Sequence, residues 1–265
     1  MGSMVFIERS EVAESGWTDV IGAGRLSDDR LRVRIGSLAA DETWSVATGV
    51  DALVWFQLLS GKIVSSDGTP ITPDHVVMLA GGAEETFTAS EATVVFVAEV
   101  PRARDYDPSL GESMVIHDWS REPVLNSEHD TRQRIYLASP KLWGTDAVKG
   151  EMIIYPPGAS GAPHHHEGAE HFQFLLAGRG TADTPAGVLD MQAGDLVYNY
   201  ENEVHSFRND YDEDMVFVEF FVPGESRTVW VPGANVCTWN PTGQDIKGRE
   251  PVRQVAGHVH GEGDV

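Results

Sequence analysis

Pro163-His164-His165-His166-Glu167-Gly168-Ala169-Glu170-His171-Phe172-Gln173-Phe174-Leu175-Leu176-Ala177-Gly178 is the most informative stretch of this chain. It holds four of the ten histidines, and a fifth follows in Val204-His205-Ser206. Side chains alternate faces along an extended segment, so His164 and His166 project together and His165 points the other way. Imidazole is the commonest metal ligand. A third ligand from the next strand and a fourth from His205 would complete a site of the transition-metal kind.

Outward from this stretch the chain reads as strands and turns. Twenty-seven glycines and fourteen prolines are spread along its length. Between them lie short runs rich in Val, Ile, Phe and Thr, at 52–59, 93–100, 151–155, 172–176, 195–198 and 215–222. Such punctuation predicts an antiparallel all-β architecture, with helix confined to pieces such as 139–142. The halves also repeat one another. Val54-Trp55-Phe56-Gln57-Leu58-Leu59-Ser60-Gly61 parallels Phe172-Gln173-Phe174-Leu175-Leu176-Ala177-Gly178, and Pro73-Asp74-His75-Val76-Val77 parallels Ala193-Gly194-Asp195-Leu196-Val197. A duplicated unit of about 100 residues accounts for both matches.

These residues resemble the cupin family. Its first motif is Gly, five residues, His-x-His, three or four residues, Glu, six residues, Gly. Here stand Gly158, His164-x-His166, Glu170-His171 and Gly178. Its second motif is Gly, five residues, Pro-x-Gly, two residues, His, three residues, Asn. Here Gly194 leads to Tyr200-x-Asn202, His205 and Asn209, with Tyr200 and Asn202 departing from the family's Pro and Gly. The resemblance implies two jelly-roll barrels in one chain, a bicupin. We expect a degenerate N-terminal cupin at 1–112, a connection at 113–148, a metal-binding cupin at 149–240 and a polar tail at 241–265.

The family's acidic ligand has two candidates. Counting six residues back from Gly178 gives His171, and alternation puts His171, Gln173 and Leu175 on one face. Glu170 takes the position if a bulge shifts the strand by one. The expected ligands are therefore His164, His166, His171 and His205, where the usual cupin has three His and one Glu. Four neutral imidazoles leave a divalent ion its full charge, and they suit Fe, Ni, Cu and Zn better than harder ions. Fe(II) is the expected metal, with Mn, Ni, Zn or Cu as alternatives. Gln173, Glu170, Tyr200 and Arg208 are candidate catalytic residues, Tyr198 or Tyr200 together with Phe207 a candidate aromatic wall, and Arg134 a second candidate for gripping a carboxylate. His258-x-His260, in glycine-rich flanks, reads as tail. His75, His117 and His129 stand singly and read as structural or surface residues. In the first half Glu85 stands where His205 stands in the second, so no metal is expected there.

Composition narrows the partners. The 265 residues are 41% hydrophobic and 23% charged, which excludes disorder, coiled coil and collagen. A formal charge of −22 disfavours nucleic acid and anionic lipid surfaces. No apolar run is long enough for a membrane helix, and the opening Met1-Gly2-Ser3-Met4 reads as a cloning leader before a native Met4. The single Cys237 forms no internal disulfide, in keeping with a cytoplasmic protein. A small-molecule substrate is expected, and a homodimer through edge strands. The cupin resemblance implies three functions in order: an Fe(II) dioxygenase of a small anionic or phenolic metabolite; a non-redox isomerase, decarboxylase, lyase or aminohydrolase; and a binding bicupin without catalysis.

Overall fold

The computed structural model describes residues 4–9, 16–261 and 265, so the leader Met1-Gly2-Ser3 lies outside the described residues. Two compact units divide the chain. One comprises Ser10–Trp119, and the other Met1–Arg9 with Ser120–Val265.

The first unit is built on a six-stranded antiparallel sheet in the order Ser113–Asp118, His75–Ala80, Leu53–Ser60, Thr93–Val100, Arg32–Leu38, Trp17–Ile21. A four-stranded sheet, Thr43–Ala47, Glu84–Ala89, Ile63–Ser65, Pro70–Ile71, supplies the opposing wall. Strand Leu53–Ser60 is apolar nearly throughout because both of its faces are buried. Val54, Phe56 and Leu58 meet Trp44, Ile63 and Phe87 of the other sheet in one core. Phe56 packs edge-on to both Trp44 and Phe87, with ring centroids at 4.9 and 5.0 Å. Glu85 accepts backbone hydrogen bonds from Ser66 and Thr86 at 3.0 and 2.9 Å, outside that core. A groove of about 580 Å³ on this unit is lined by Asp19, Arg32, Arg34 and Glu99 among others.

The second unit carries a nine-stranded sheet: Val5–Ile7, Leu196–Asn199, Glu170–Ala177, Met215–Val222, Lys149–Tyr155, Gln133–Ala138, Leu125–Ser127, Thr238–Pro241, His258–Val259. Facing it are the sheet of Gly187–Gln192, Arg179–Thr184 and Ser206–Arg208, and the pair His164–Glu167 with Arg227–Trp230. Its core joins Ile153, Leu175, Val197 and Phe217 to Ala182, Met191 and Phe207. The turn at Gly178 needs glycine. Its φ is +73°, and a Cβ there would lie 2.0 Å from the carbonyl oxygen of Asp214. Asn202, where the family motif has glycine, adopts φ +68°, a conformation asparagine tolerates better than most residues.

Three expectations about organisation are corrected. The stretch 113–148 is not a connection: Ser113–Asp118 is an edge strand of the first unit, and Leu125–Ser127 and Gln133–Ala138 are strands of the second. The stretch 241–265 is not a free tail either, since His258–Val259 pairs with Thr238–Pro241. The N-terminal strand Val5–Ile7 belongs to the second unit, paired antiparallel with Leu196–Asn199. The short helix spans Pro140–Trp143, capped by Ser139, whose side chain accepts from the Leu142 amide, and closed by Gly144 at φ 72°. Among the described residues, no helix is long and apolar enough to cross a membrane.

Candidate metal centre

His164–Glu167 runs antiparallel to Arg227–Trp230, and a backbone bridge ties His164 to His205. The His164 amide donates to the His205 carbonyl at 3.1 Å, and the His205 amide returns the bond at 2.9 Å. That bridge brings the first and second histidine motifs together. His171 enters from strand Glu170–Ala177, opposite Asn199 and Phe221. Asn209 locks the turn after His205, because its Nδ2 donates to the carbonyls of Tyr155 and Glu213, both at 2.7 Å.

The nitrogen atoms converge in two overlapping groups. One ligand atom each of His166, His171 and His205 lies within 4.8 Å of the others, and the same holds for His164, His166 and His260. His166 belongs to both. His164 and His205 are ring neighbours, with centroids 4.6 Å apart. Backbone carbonyls fix two tautomers, because a carbonyl can only accept. His164 Nδ1 donates to Ala162 at 2.8 Å and His205 Nδ1 donates to Glu203 at 2.9 Å, so each Nε2 presents a lone pair. Nε2 of His205 faces Nε2 of His171 at 3.2 Å. His166 Nε2 and His171 Nδ1 are buried without a hydrogen-bond partner. Orphaned buried nitrogens beside converging lone pairs are the donor set a divalent transition ion fits.

Burial keeps these rings neutral. It drives His164, His166 and His171 well below the ordinary histidine value, with neighbouring histidines adding to the effect, and lowers His205 to about 4. The unfolded chain takes up protons near 6.5 and the folded chain does not, so the folded state loses ground as pH falls. In metal-stripped Glu219→Gln protein, where the buried carboxyl that is raised to about 8 no longer titrates in the opposite sense, the melting temperature is expected to fall steadily from about pH 6.5 toward pH 4. Thermal melts across that range check this, and a flat profile would contradict the neutral cluster.

Next to the histidines lies a buried polar layer. Strand pairing sets Tyr136, Glu151, Glu219 and Gln173 in one row across the sheet. Glu219 accepts from Gln173 Nε2 at 2.6 Å, and Asn199 Nδ2 donates to Gln173 Oε1 at 2.9 Å. Glu151, fully buried, pairs with Arg134 at 2.7 Å. Burial, reinforced by the neighbouring Glu151 charge, pushes the Glu219 carboxyl up to about 8, so it holds a proton at neutral pH. A cavity of about 30 Å³ opens between the two layers, with Arg132, Arg134, His164, His205, Glu219 and His260 in its lining.

The remaining expected site residues fall in different places. Gln173 is inside, as described. Glu170 is on the opposite face from His171, where Tyr198 donates its hydroxyl to it. Tyr200 packs on Tyr198, ring centroids 5.2 Å apart, and does not line the cavity. Arg208 is engaged by Asp183 and Asp210 at the partly exposed rim of its sheet. These three are corrected as site residues. The aromatic wall is Phe221, stacked on His171 at 4.9 Å, with Trp230 at 5.0 Å from His164 and Phe207 at 6.0 Å from His205. Arg134 is engaged through its terminal nitrogens by Glu151, Tyr136 and His260, while its buried Nε has no hydrogen-bond partner. His260 is the main residue that sequence reasoning missed, and its signal was there: it repeats the His-x-His spacing. Glu151 and Glu219 were missed too, although a lone carboxylate inside an apolar strand is unusual enough to mark a site.

The family model described as Cupin domain matches residues 151–221, the segment that spans these histidines. Several solved structures of oxalate decarboxylase superpose on most of the chain. One that addresses its substrate binding mode aligns at TM-score 0.67 and 13% identity, covering 87% of this chain and 80% of that one. The chain shares the fold of these structures, and its segment 151–221 matches the cupin family. A deletion variant of the Bacillus subtilis oxalate decarboxylase aligns at 0.67 and 14% identity over the same shares. So, at 0.66 and 14%, does a structure concerned with the Mn(II) centres of that enzyme. Comparison with curated proteins found no match. In cupin terms, the candidate centre lies between the two motifs of the second barrel.

Proposed function

We propose that this chain is a metal-dependent enzyme that carries out non-redox, decarboxylase-like chemistry on a small carboxylic acid. His164, His166, His171 and His205 would hold a divalent transition metal. The observation that carries this reading is geometric: Glu219, buried and hydrogen-bonded by Gln173, lines one small cavity with His164 and His205 of the histidine cluster. When bound, the metal would supply Lewis-acid polarisation of a substrate oxygen. The similarity to oxalate decarboxylases, one with Mn(II) centres, supports placing this chemistry ahead of the Fe(II) dioxygenase expected from the histidine-only set. Fe(II) therefore has no preference over other divalent ions.

The chain's own residues account for the rest. The cavity of about 30 Å³ admits a ligand of only a few atoms. Phe207, Phe217 and Trp230 line it and exclude water, which strengthens every polar contact inside. Gln173 fixes the Glu219 carboxyl by donating to Oε2, and Arg134 pairs with Glu151 at 2.7 Å. Loss of CO2 from a carboxylate leaves the bonding electron pair on carbon. The Glu219 proton moves to that carbon, giving the C–H product, and solvent later restores the proton.

A panel of the smallest keto and dicarboxylic acids, of two or three carbons, followed by CO2 release beside an oxygen electrode, tests the proposal. CO2 release without oxygen uptake is expected. Glu219→Gln should retain metal and lose about a hundredfold or more in turnover, the range for a general acid. Oxygen consumed in step with product would overturn this reading in favour of the dioxygenase.

A further inference from the structure

The strand His258–Val259 opens a second His-x-His pair that runs into the barrel, and its hydrogen bonds have a direction. His258 Nδ1 donates to the Ala256 carbonyl at 2.9 Å, so its Nε2 accepts from the Tyr136 hydroxyl at 2.5 Å. Arg134 has only protons to give. Its Nη1 donates to the Tyr136 oxygen at 3.3 Å, and its Nη2 donates to Nδ1 of His260. An imidazole accepting at Nδ1 keeps its single proton on Nε2. His164 and His205 are the reverse, with Nδ1 protonated and Nε2 bare. His260 nonetheless sits among them, with ring centroids 5.7 Å from His164 and 5.5 Å from His166, and it lines the same cavity.

We propose that His260 is a hydrogen-bond donor to the ligand of this centre and not one of its metal ligands. Its Nε2–H would meet the anionic oxygen of a small carboxylate held at the histidine cluster, and Arg134 is the positioning residue that sets its tautomer. The inference rests on the metal-site reading above. A lone pair at this position would compete for the metal; an N–H selects ligands that offer a negative oxygen instead. The two classes of histidine are thus told apart by their backbone and guanidinium partners, not by distance alone. Trp239, stacked 4.3 Å from the Arg134 guanidinium, and Glu151 hold that guanidinium in place.

Two measurements on the full chain test this. Long-range proton–nitrogen NMR of histidine-labelled, metal-free protein should show the Nε2–H tautomer at His260 and the Nδ1–H tautomer at His164 and His205; Nδ1–H at His260 overturns the proposal. Formate is then titrated into Co(II)-loaded protein and followed by the visible spectrum. His260→Ala should keep one Co(II) per chain and weaken formate binding roughly tenfold to a hundredfold, as for a lost hydrogen bond to a charged group. His260→Gln, which fills the space and keeps an N–H, should recover part of the loss. Co(II) lost in His260→Ala with retained fold would make His260 a ligand, and unchanged formate affinity would make it structural; either overturns the proposal. Wild-type protein that takes up no Co(II) would sink the metal-site reading itself, while the tautomer measurement still decides the orientation of His260.

Discussion

His166→Ala is expected to remove bound metal and turnover together while the barrel stays folded. His166 is shared by both nitrogen groups of the centre, and its Nε2 is a buried atom with no other partner. Removing even a supporting partner of a metal ligand commonly lowers affinity about 10- to 100-fold, so removing the shared imidazole should lower it by more than about a hundredfold. The fold does not depend on the ring. Its Nδ1 has only a 3.3 Å contact with Thr228 Oγ1, and strand His164–Glu167 is held by its backbone pairing to Arg227–Trp230. Metal per chain after dialysis, with circular dichroism as the folding control, reads the outcome. Stoichiometric metal in the folded variant would remove these histidines from the metal's ligand set.

Arg134→Leu should cost the second barrel about 3–5 kcal/mol of stability, because it strands a buried carboxylate. Both members of the pair are almost wholly inaccessible, at 2% and 0% side-chain exposure. Leucine cannot donate to Tyr136 or His260 and cannot neutralise Glu151. The double variant Arg134→Leu/Glu151→Leu should recover much of the loss, since replacing a whole buried ion pair with apolar groups is often neutral. Urea unfolding of the two variants beside the parent measures it. A double variant as weak as Arg134→Leu alone would show that hydrogen bonding to Tyr136 and His260, and not the stranded charge, is what the arginine supplies.

The second barrel's strands and the His-x-His motif were legible because their signals are local. Alternation at His171, Gln173 and Leu175 is a property of one strand, and it chose the inward face correctly for Gln173. Alternation could not say what covers the other face, where Glu170 meets Tyr198 instead of the cavity. The stretches misread as connection and tail fail for a different reason. Leu125–Ser127, Thr238–Pro241 and His258–Val259 are two to four residues long, and the sheet that holds them is completed by a pairing between Leu125–Ser127 and Thr238–Pro241 across more than a hundred residues. So short a strand has almost no periodic signature. Arg208 was plausible on chemistry alone, and only geometry reveals that Asp183 and Asp210 have taken its fork.

The strands at the two edges of the nine-stranded sheet give synthesis a fixed order. Val5–Ile7 leaves the ribosome about 190 residues before its partner Leu196–Asn199, a wait of roughly ten to forty seconds at ordinary translation speeds. His258–Val259, at the far edge, is made long after His166. A nascent chain can therefore assemble the histidine motifs around His166 while the strand leading to His260 is still unmade. Ligand selection would be the last property the growing protein acquires.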